Sequence, residues 1–179
     1  MVTNTDLIKD FVNTRDVLEG ADELNTPVAL AAWLASRGLA AVRLRATEAD
    51  LRHALALREA LRSLLLAHNG VKGELADPTS VLDEAARRAG IELRFGVAGP
   101  ELAPRAAGVS GALGRVVASV YAAMNDRSWE RLKACRADDC QWVFIDNAKN
   151  RSRAWCSMQE CGNRAKARSF RERHRATNP

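Results

Sequence analysis

The sequence predicts a mainly α-helical protein with a small β-hairpin, built as a helical domain over residues 1–125 and a small module over residues 126–179. Apolar residues recur at helical spacing through most of the first domain. One segment there, residues 91–97, alternates apolar and polar residues instead. The module is set apart because all four cysteines of the chain lie in the last quarter of the sequence.

Five helices are predicted in the first domain, and four of them begin at a capping residue. A Thr or Asp side chain before a helix accepts a hydrogen bond from a free backbone N–H, and proline suits the first helical position. The predicted starts are Thr5 or Asp6, Thr26-Pro27, Thr47-x-x-Asp50 and Asp77-Pro78, and the fifth helix is predicted over residues 110–124. Gly38, Asn69-Gly70 and Gly90 are the predicted ends of the second, third and fourth helices.

The alternating segment predicts a half-buried strand over residues 91–97, with Ile91, Leu93 and Phe95 on its apolar face. Gly99-Pro100 predicts a turn, and residues 102–107 are the predicted return strand. Because a two-stranded ribbon alone is marginally stable, we expect this hairpin to lie on the helices.

Charge separates the two parts of the chain. Residues 1–126 contain 14 Lys and Arg against 16 Asp and Glu, whereas residues 127–179 contain 13 against 6. The net charges are therefore −2 and +7. No apolar run reaches the roughly 18 residues of a membrane span, and the N-terminus lacks the basic start of a secretory signal. We therefore expect a cytoplasmic protein with no membrane contact.

The cysteines follow the order Cys135-x4-Cys140-x15-Cys156-x4-Cys161. Two close pairs separated by a hairpin-length span suit a tetrahedral Zn²⁺ site. Two disulfides are the alternative, which the reducing cytosol disfavours. Four thiolates leave no open coordination position, so we expect one structural zinc ion in a small treble-clef-like zinc finger with four cysteine ligands.

The elements around the cysteines are also predictable. Trp129 begins a short helix that delivers Cys135, and residues 141–145 and 151–155 are predicted strands. Backbone amides of the loop 136–139 are expected to donate hydrogen bonds to the first two sulfurs. A basic helix starts at Asn163, and we expect the face that carries Phe170 to pack on the zinc core.

The basic residues of the module predict nucleic-acid binding, with double-stranded DNA as the expected partner. Four arginines of the last helix fall on one narrow arc, and Glu172 alone offsets six basic residues there. The predicted nucleic-acid-binding residues are Lys149, Arg151, Arg153, Arg164, Lys166, Arg168, Arg171, Arg173 and Arg175. Two alternatives stay open, namely RNA binding, with stacking on Trp142 or Trp155, and docking of an acidic protein partner.

The helical domain is a candidate sensor without signs of catalysis. It lacks a glycine-rich phosphate loop, a Gly-x-Ser-x-Gly elbow and a His-Glu-x-x-His motif, so we do not expect an enzyme. Two small polar residues interrupt its first apolar helix, and an arginine of the longest helix is placed to face them. The candidate pocket for a small-molecule effector consists of Asn13, Thr14, Trp33 and Arg58.

The cysteine module resembles the CGNR zinc-finger family. The resemblance is carried by Cys161-Gly-Asn-Arg164 and by a wider string that includes Trp142-Val-Phe144, Asn150-Arg-Ser-Arg153 and Trp155-Cys156. The first domain is similar to the ABATE domain that usually precedes this finger. That similarity is carried by Phe11-Val-Asn-Thr14, by Leu30, Trp33, Leu34 and Gly38, and by Leu57-Arg-Glu-Ala-Leu61.

The resemblance implies a bacterial, stress-related transcription regulator that binds DNA through the finger. It also implies that the zinc ligands are Cys135, Cys140, Cys156 and Cys161. Two residues depart from the expected pattern. Ala148 stands where we expect Ser or Thr, and Ala154 stands where we expect Arg before the Trp-Cys pair.

Overall fold

The fold, which a computed structural model describes for residues 3–73, 75–97 and 99–177, consists mainly of α-helices joined by short antiparallel ribbons. The helices are α1 (Asn4–Val12), α2 (Pro27–Ser36), α3 (Glu48–Ala67), α4 (Pro78–Ala89), α5 (Gly108–Asn125) and α6 (Asn163–Thr177). The strand pairs are Arg15–Asp16 (β1) with Ala21–Asp22 (β2), Ile91–Gly96 (β3) with Gly99–Pro104 (β4), and Leu132–Ala134 (β5) with Val143–Ile145 (β6). This architecture confirms the predicted fold class.

Local capping chemistry sets the starts of α2, α3 and α4, as predicted. Thr26 Oγ1 accepts a hydrogen bond from the amide of Ala29 at 3.1 Å, and Pro27 occupies the first turn of α2. Thr47 and Asp50 form a reciprocal capping box at the start of α3. Asp77 caps α4, and Gly90 ends that helix with a left-handed backbone at φ +58°. These side chains satisfy amides that would otherwise lack partners.

The start of α1 differs from the prediction. The cap is Thr3, whose Oγ1 accepts from the amide of Asp6 at 3.1 Å, and neither Thr5 nor Asp6 takes that role. Thr5 is instead buried inside the first turn. The capping position lies two or three residues earlier than predicted, because the helix begins about one turn before its first apolar residue, Leu7.

The β3–β4 hairpin is more exposed than predicted. Leu93 is 56% exposed and Phe95 is 82% exposed, so the prediction of a half-buried strand is wrong. The base of the hairpin does pack on α5, at a glycine that permits close approach. A Cβ on Gly114 would lie 2.4 Å from the Cβ of Ala89 and 3.0 Å from the Cβ of Pro104. The hairpin therefore rests on the helices at its base and projects from them at its tip.

One hydrophobic core joins the helical domain to the start of the cysteine module. Apolar residues of α1, α2, α3 and α5 form this core, and Trp129, Leu132 and Val143 are buried in it as well. Trp129 lies in a single 3-10 turn, and β5, not a helix, leads to Cys135. The predicted strand over residues 151–155 is likewise absent, since that segment has no ladder partner. None of the helices in the described part of the chain combines the length and apolar character needed to cross a bilayer.

Candidate metal centre and nucleic-acid interface

The four cysteines converge on one point. Every pair of their Sγ atoms lies within 4.8 Å, and the Cys140–Cys156 and Cys156–Cys161 pairs are 3.6 Å apart. Tetrahedral coordination with Zn–S bonds of about 2.3 Å requires sulfurs about 3.8 Å apart. The donor set and its spacing therefore fit one zinc ion with no vacant position for water or substrate.

Two structural units supply two ligands each. Cys135 and Cys140 flank the turn of the β5–β6 hairpin, whereas Cys156 and Cys161 flank the turn that leads into α6. Cys161 lies in a single π-helical turn, Met158–Gly162, just before α6. We call residues 129–145 the docked half of the finger and residues 154–177 its projecting half. The metal site is the point where the two halves meet.

Backbone amides donate hydrogen bonds to the cysteine sulfurs. The amides of Ala137 and Cys156 donate to the sulfur of Cys135, and the amide of Trp142 donates to the sulfur of Cys140. The loop 136–139 thus supplies one of the expected donors, while the donor to Cys140 comes from beyond that loop. These N–H groups stabilise negative charge on sulfur, as thiolate coordination requires.

The pKa values of the cysteine thiols are shifted in opposite directions. A hydrogen bond from Cys140 lowers the pKa of Cys135 to about 5, and the same contact raises the pKa of Cys140. Burial raises the pKa of Cys156 to about 12. A divalent cation bound by all four sulfurs as thiolates would displace the remaining protons, so zinc binding is expected to weaken as the pH falls.

Two asparagines of the helical domain hold the finger through hydrogen bonds that the sequence did not reveal. Asn13 Nδ2 donates to the carbonyl of Val143 at 2.9 Å, and Asn13 Oδ1 accepts from the amide of Val143 at 2.8 Å. Asn69 Nδ2 donates to the carbonyls of Ala134 at 2.9 Å and Ala154 at 2.8 Å. Asn69 therefore bridges the docked half and the projecting half.

Two further side chains of α3 and its end secure the docked half. Arg62, which is buried, donates to the carbonyls of Gln141 at 3.0 Å and Val12 at 2.7 Å. His68 Nδ1 donates to the carbonyl of Leu132 at 2.8 Å. Their partners lie 50 to 79 positions away in sequence, so no local pattern could have identified them.

A buried ion pair organises the loop between the two halves. Lys133 Nζ lies 2.8 Å from Asp146 Oδ2, and both side chains are almost fully buried. Lys133 also donates to the carbonyls of Arg151 and Arg153. Asp146 in turn accepts from the amides of Ala148 and Arg153, each at 3.0 Å. The pair thus fixes the backbone that carries Arg151 and Arg153.

Most of the predicted nucleic-acid residues are exposed on α6 or on the loop before it. Lys149, Lys166, Arg168, Arg171 and Arg173 all have exposed side chains. The side chain of Arg175 lies outside the described residues. The predicted packing of Phe170 on the zinc core is wrong, because this side chain is 54% exposed. Helix α6 projects from the metal site into solvent, so Phe170 has no part of the zinc core to pack against.

Three of the predicted residues make contacts within the finger. Arg151 forms an ion pair with Glu130. Arg153 donates to the carbonyl of Cys156, and its guanidinium lies 4.7 Å from the ring centroid of Phe144. Arg164 Nη2 donates to the sulfur of Cys161 at 3.3 Å and lies 3.5 Å from a carboxylate oxygen of Asp139. Arg164 therefore offsets charge at the metal site.

The four candidate effector residues make contacts within the protein. Arg58 donates to both carboxylate oxygens of Asp22, at 2.7 and 2.8 Å, and to the hydroxyl of Thr14 at 3.3 Å. Trp33 is buried in the hydrophobic core, and Asn13 holds the finger as described above. Their polar groups already have partners inside the protein, except for the Trp33 indole N–H.

Comparison with family models gives two matches. Residues 5–126 match the ABATE model, described as "Putative stress-induced transcription regulator", and residues 131–174 match the CGNR zinc finger model. No curated protein matches the chain. Both resemblances seen in the sequence are thereby confirmed, and the cysteine cluster supplies the site for one structural zinc ion. Since the first match covers more than half of the chain, this protein belongs to the ABATE family and carries a CGNR zinc finger at its C-terminal end.

Proposed function

We propose that this protein is a transcription regulator that binds double-stranded DNA through its finger, with zinc in a structural role and with no catalytic activity. The observation that carries the proposal is the position of α6. This helix begins two residues after the zinc ligand Cys161 and exposes Lys166, Arg168 and Arg171. A rigid, cationic helix held at one end suits contact with phosphates.

Three arginines of α6 form one contact face. Arg164, Arg168 and Arg171 are separated by four and three positions, which places them on the same side of an α-helix. Asp139 lies 3.5 Å from Arg164 and 3.8 Å from Arg168. Exposed ion pairs contribute about 0–1 kcal/mol, so the ion pair with Asp139 is too weak to prevent Arg168 from binding a phosphate.

The loop before α6 adds positive charge in a fixed arrangement. Lys149 is exposed, while Arg151 and Arg153 are held by Glu130 and by the finger backbone. We assign Lys149, Lys166, Arg168 and Arg171, whose side chains are exposed, to direct phosphate contact. Arg151 and Arg153 contribute to the electrostatic potential that attracts a polyanion.

The partial burial of Trp142 and Trp155 favours binding of duplex DNA over binding of single-stranded RNA. Trp142 and Trp155 both pack against the zinc cluster and are half-buried. Sequence-specific RNA recognition relies on free aromatic faces for base stacking, and these two faces are partly occupied. Binding of an acidic protein partner would use the same arginines, and the experiment below distinguishes it from binding of DNA.

The helical domain completes the proposal as a sensor of a small molecule or partner. A cavity of about 270 Å³ lies between α3, α4 and α5, with Val109 and Leu113 in its wall and with Asp50 and His53 at its polar side. An apolar cavity with a few polar groups suits a small amphipathic molecule. An effector would be detected as a change in DNA affinity.

Fluorescence anisotropy of labelled random duplex DNA, titrated with zinc-loaded protein across a salt series, tests the proposal. We expect log K to fall linearly with log salt, with a slope of about −0.9 for each phosphate contacted. Arg168→Glu combined with Arg171→Glu should abolish binding while zinc content stays unchanged. Arg52→Glu, a charge reversal on an exposed residue of α3, is the matched control for each single variant, Arg168→Glu or Arg171→Glu, and should reduce affinity far less than either of them.

A salt slope near zero, or equal losses in the α6 and Arg52 variants, would contradict DNA binding through α6. Tighter binding to single-stranded RNA than to duplex DNA would transfer the function to RNA. Failure to bind either polyanion at low salt, with zinc present, would favour the acidic protein partner.

A further inference from the structure

The outer edge of β3 has unpaired backbone groups. The β3–β4 register places Ile91 opposite Pro104 and Phe95 opposite Pro100. Proline has no N–H, so these pairs cannot be the mutually hydrogen-bonded ones, and the ladder bonds run through the alternate pairs. A hydrogen bond from the Arg105 amide to the Gly90 carbonyl continues that alternate series.

The backbone groups of Ile91, Leu93 and Phe95 consequently point away from β4. Within residues 3–73, 75–97 and 99–177, no other element hydrogen-bonds to this edge. The opposite edge of the hairpin is different, because two of its three outward positions, Pro100 and Pro104, lack a donor. One edge is therefore closed by proline, while the other is free to accept a strand.

The free edge is complementary to itself. An antiparallel two-fold pairing centred on Leu93 places Ile91 of one copy opposite Phe95 of the other, and these residues have the outward backbone groups that such a ladder needs. The same register places Glu92 opposite Arg94 twice, once on each side of the axis. Centring the axis on Glu92 or Arg94 would instead place like charges opposite each other, which is unfavourable.

The exposed apolar residues fit the same arrangement. Ile91, Leu93 and Phe95 lie on one face of the hairpin, and Leu93 and Phe95 are 56% and 82% exposed. In the two-fold pairing, Leu93 meets its own copy and Phe95 lies beside the base of the partner hairpin. Such pairing would cover large apolar side chains that the single chain leaves in water.

We propose that β3 is the interface through which two copies of this chain form a two-fold dimer, with a continuous four-stranded sheet in the order β4-β3-β3′-β4′. The contact is short compared with a standard interface of about 800 Å² per partner, so the dimer dissociates at a Kd on the order of micromolar. The dimer depends on neither zinc nor DNA. Its test is therefore independent of the proposed DNA-binding function.

Sedimentation equilibrium of the zinc-loaded protein, without nucleic acid, tests the dimer. Between about 1 and 200 µM, the average mass should rise with concentration towards twice the 19.5 kDa of one chain, as expected for a Kd on the order of micromolar. Glu92→Arg and Arg94→Glu each place two pairs of like charges across the axis, and each should raise the Kd about tenfold or more. An equimolar mixture of the two variants pairs unlike charges again and should restore association.

Arg105→Glu is the matched control. Arg105 lies 3.5 Å from Glu92 within one chain, so its reversal changes the charge of the hairpin without changing the pairs across the axis. The Kd of this variant should stay within about twofold of the wild-type value. A wild-type protein that is monomeric throughout the range would overturn the proposal. A dimer unaffected by both charge variants, or a mixture that fails to associate, would overturn it as well.

Discussion

The two halves of the finger bind the same metal but depend on different parts of the molecule. The docked half contributes Trp129, Leu132 and Val143 to the hydrophobic core of the helical domain. The described side chains at positions 166–174 of the projecting half are all exposed. The docked half is thus stabilised by burial, whereas the projecting half is held by the zinc site and by the hydrogen bonds that the Ala154 carbonyl accepts from Asn69 and from the amide of Arg136.

This difference shows why a cysteine cluster alone does not define a folding unit. A zinc finger of about 50 residues usually has too small a core to fold without metal. Here half of that unit shares the core of a larger domain, so its hairpin has a second source of stability. Zinc then serves to attach the basic helix to a platform that is already folded.

Zinc removal should separate the two halves, and it is the largest effect that we expect. Structural zinc contributes apparent free energies of about 10–16 kcal/mol in finger peptides. Cys161→Ser, or chelation, should therefore release α6, while the docked hairpin stays folded on the core. Hydrogen exchange measured by mass spectrometry should show lost protection over residues 154–177 and retained protection over residues 132–145.

Cys135→Ser should be compared with Cys161→Ser in the same experiment, because it removes a zinc ligand from the docked half. Both variants should give the same exchange pattern, since either one eliminates the metal site. Loss of protection over residues 132–145 in either variant would show that the hairpin depends on zinc, and the contrast between the halves would then be wrong.

Lys133→Met should produce the next largest effect by acting on the loop between the halves. The substitution leaves the buried carboxylate of Asp146 without its ion-pair partner and frees the carbonyls of Arg151 and Arg153. Breaking a buried ion pair costs about 3–5 kcal/mol. Urea denaturation of the zinc-loaded protein should show this loss.

Two comparisons make the Lys133 result specific. Lys72→Met, at an exposed position, should change the free energy of unfolding by less than about 0.5 kcal/mol. The double variant Lys133→Met with Asp146→Leu should be more stable than Lys133→Met alone, because it removes the unpaired buried charge. A cost below about 1 kcal/mol for Lys133→Met would mean that the pair does not hold the loop.

The sequence predicted those features that local chemistry determines. Thr26, Thr47 and Asp77 cap helices because each acts on amides within one turn. The cysteine spacing likewise identified the metal cluster, since two short turns need only one chain reversal between them. The family resemblance rested on the same short motifs and was confirmed over residues 5–126 and 131–174.

The features that the sequence missed depend on distant partners. The sequence indicates Asn69 only as a helix end, and Arg62 and Lys133 resemble ordinary surface residues there. The roles of all three follow from how the finger docks. The burial of β3 and of Phe170 was overestimated for a related reason. Alternation and helical spacing show which side of an element is apolar, but they do not show whether another element covers that side.

The smallest effect that we expect concerns the stability of the helical domain in acid. Burial alone would raise the pKa of Asp22, but hydrogen bonds from Arg58 and from the amide of Leu24 outweigh it and lower that pKa below 3.8. A depressed folded-state pKa adds stability at pH values above the unfolded pKa, and this stability is lost as the pH falls through the folded pKa. Asp22→Asn should therefore be less stable than wild type by about 1–3 kcal/mol at pH 7. Urea denaturation with zinc chelated throughout should show this difference shrinking only below about pH 4, and a difference that stays constant down to pH 2 would show that the Asp22 charge does not contribute.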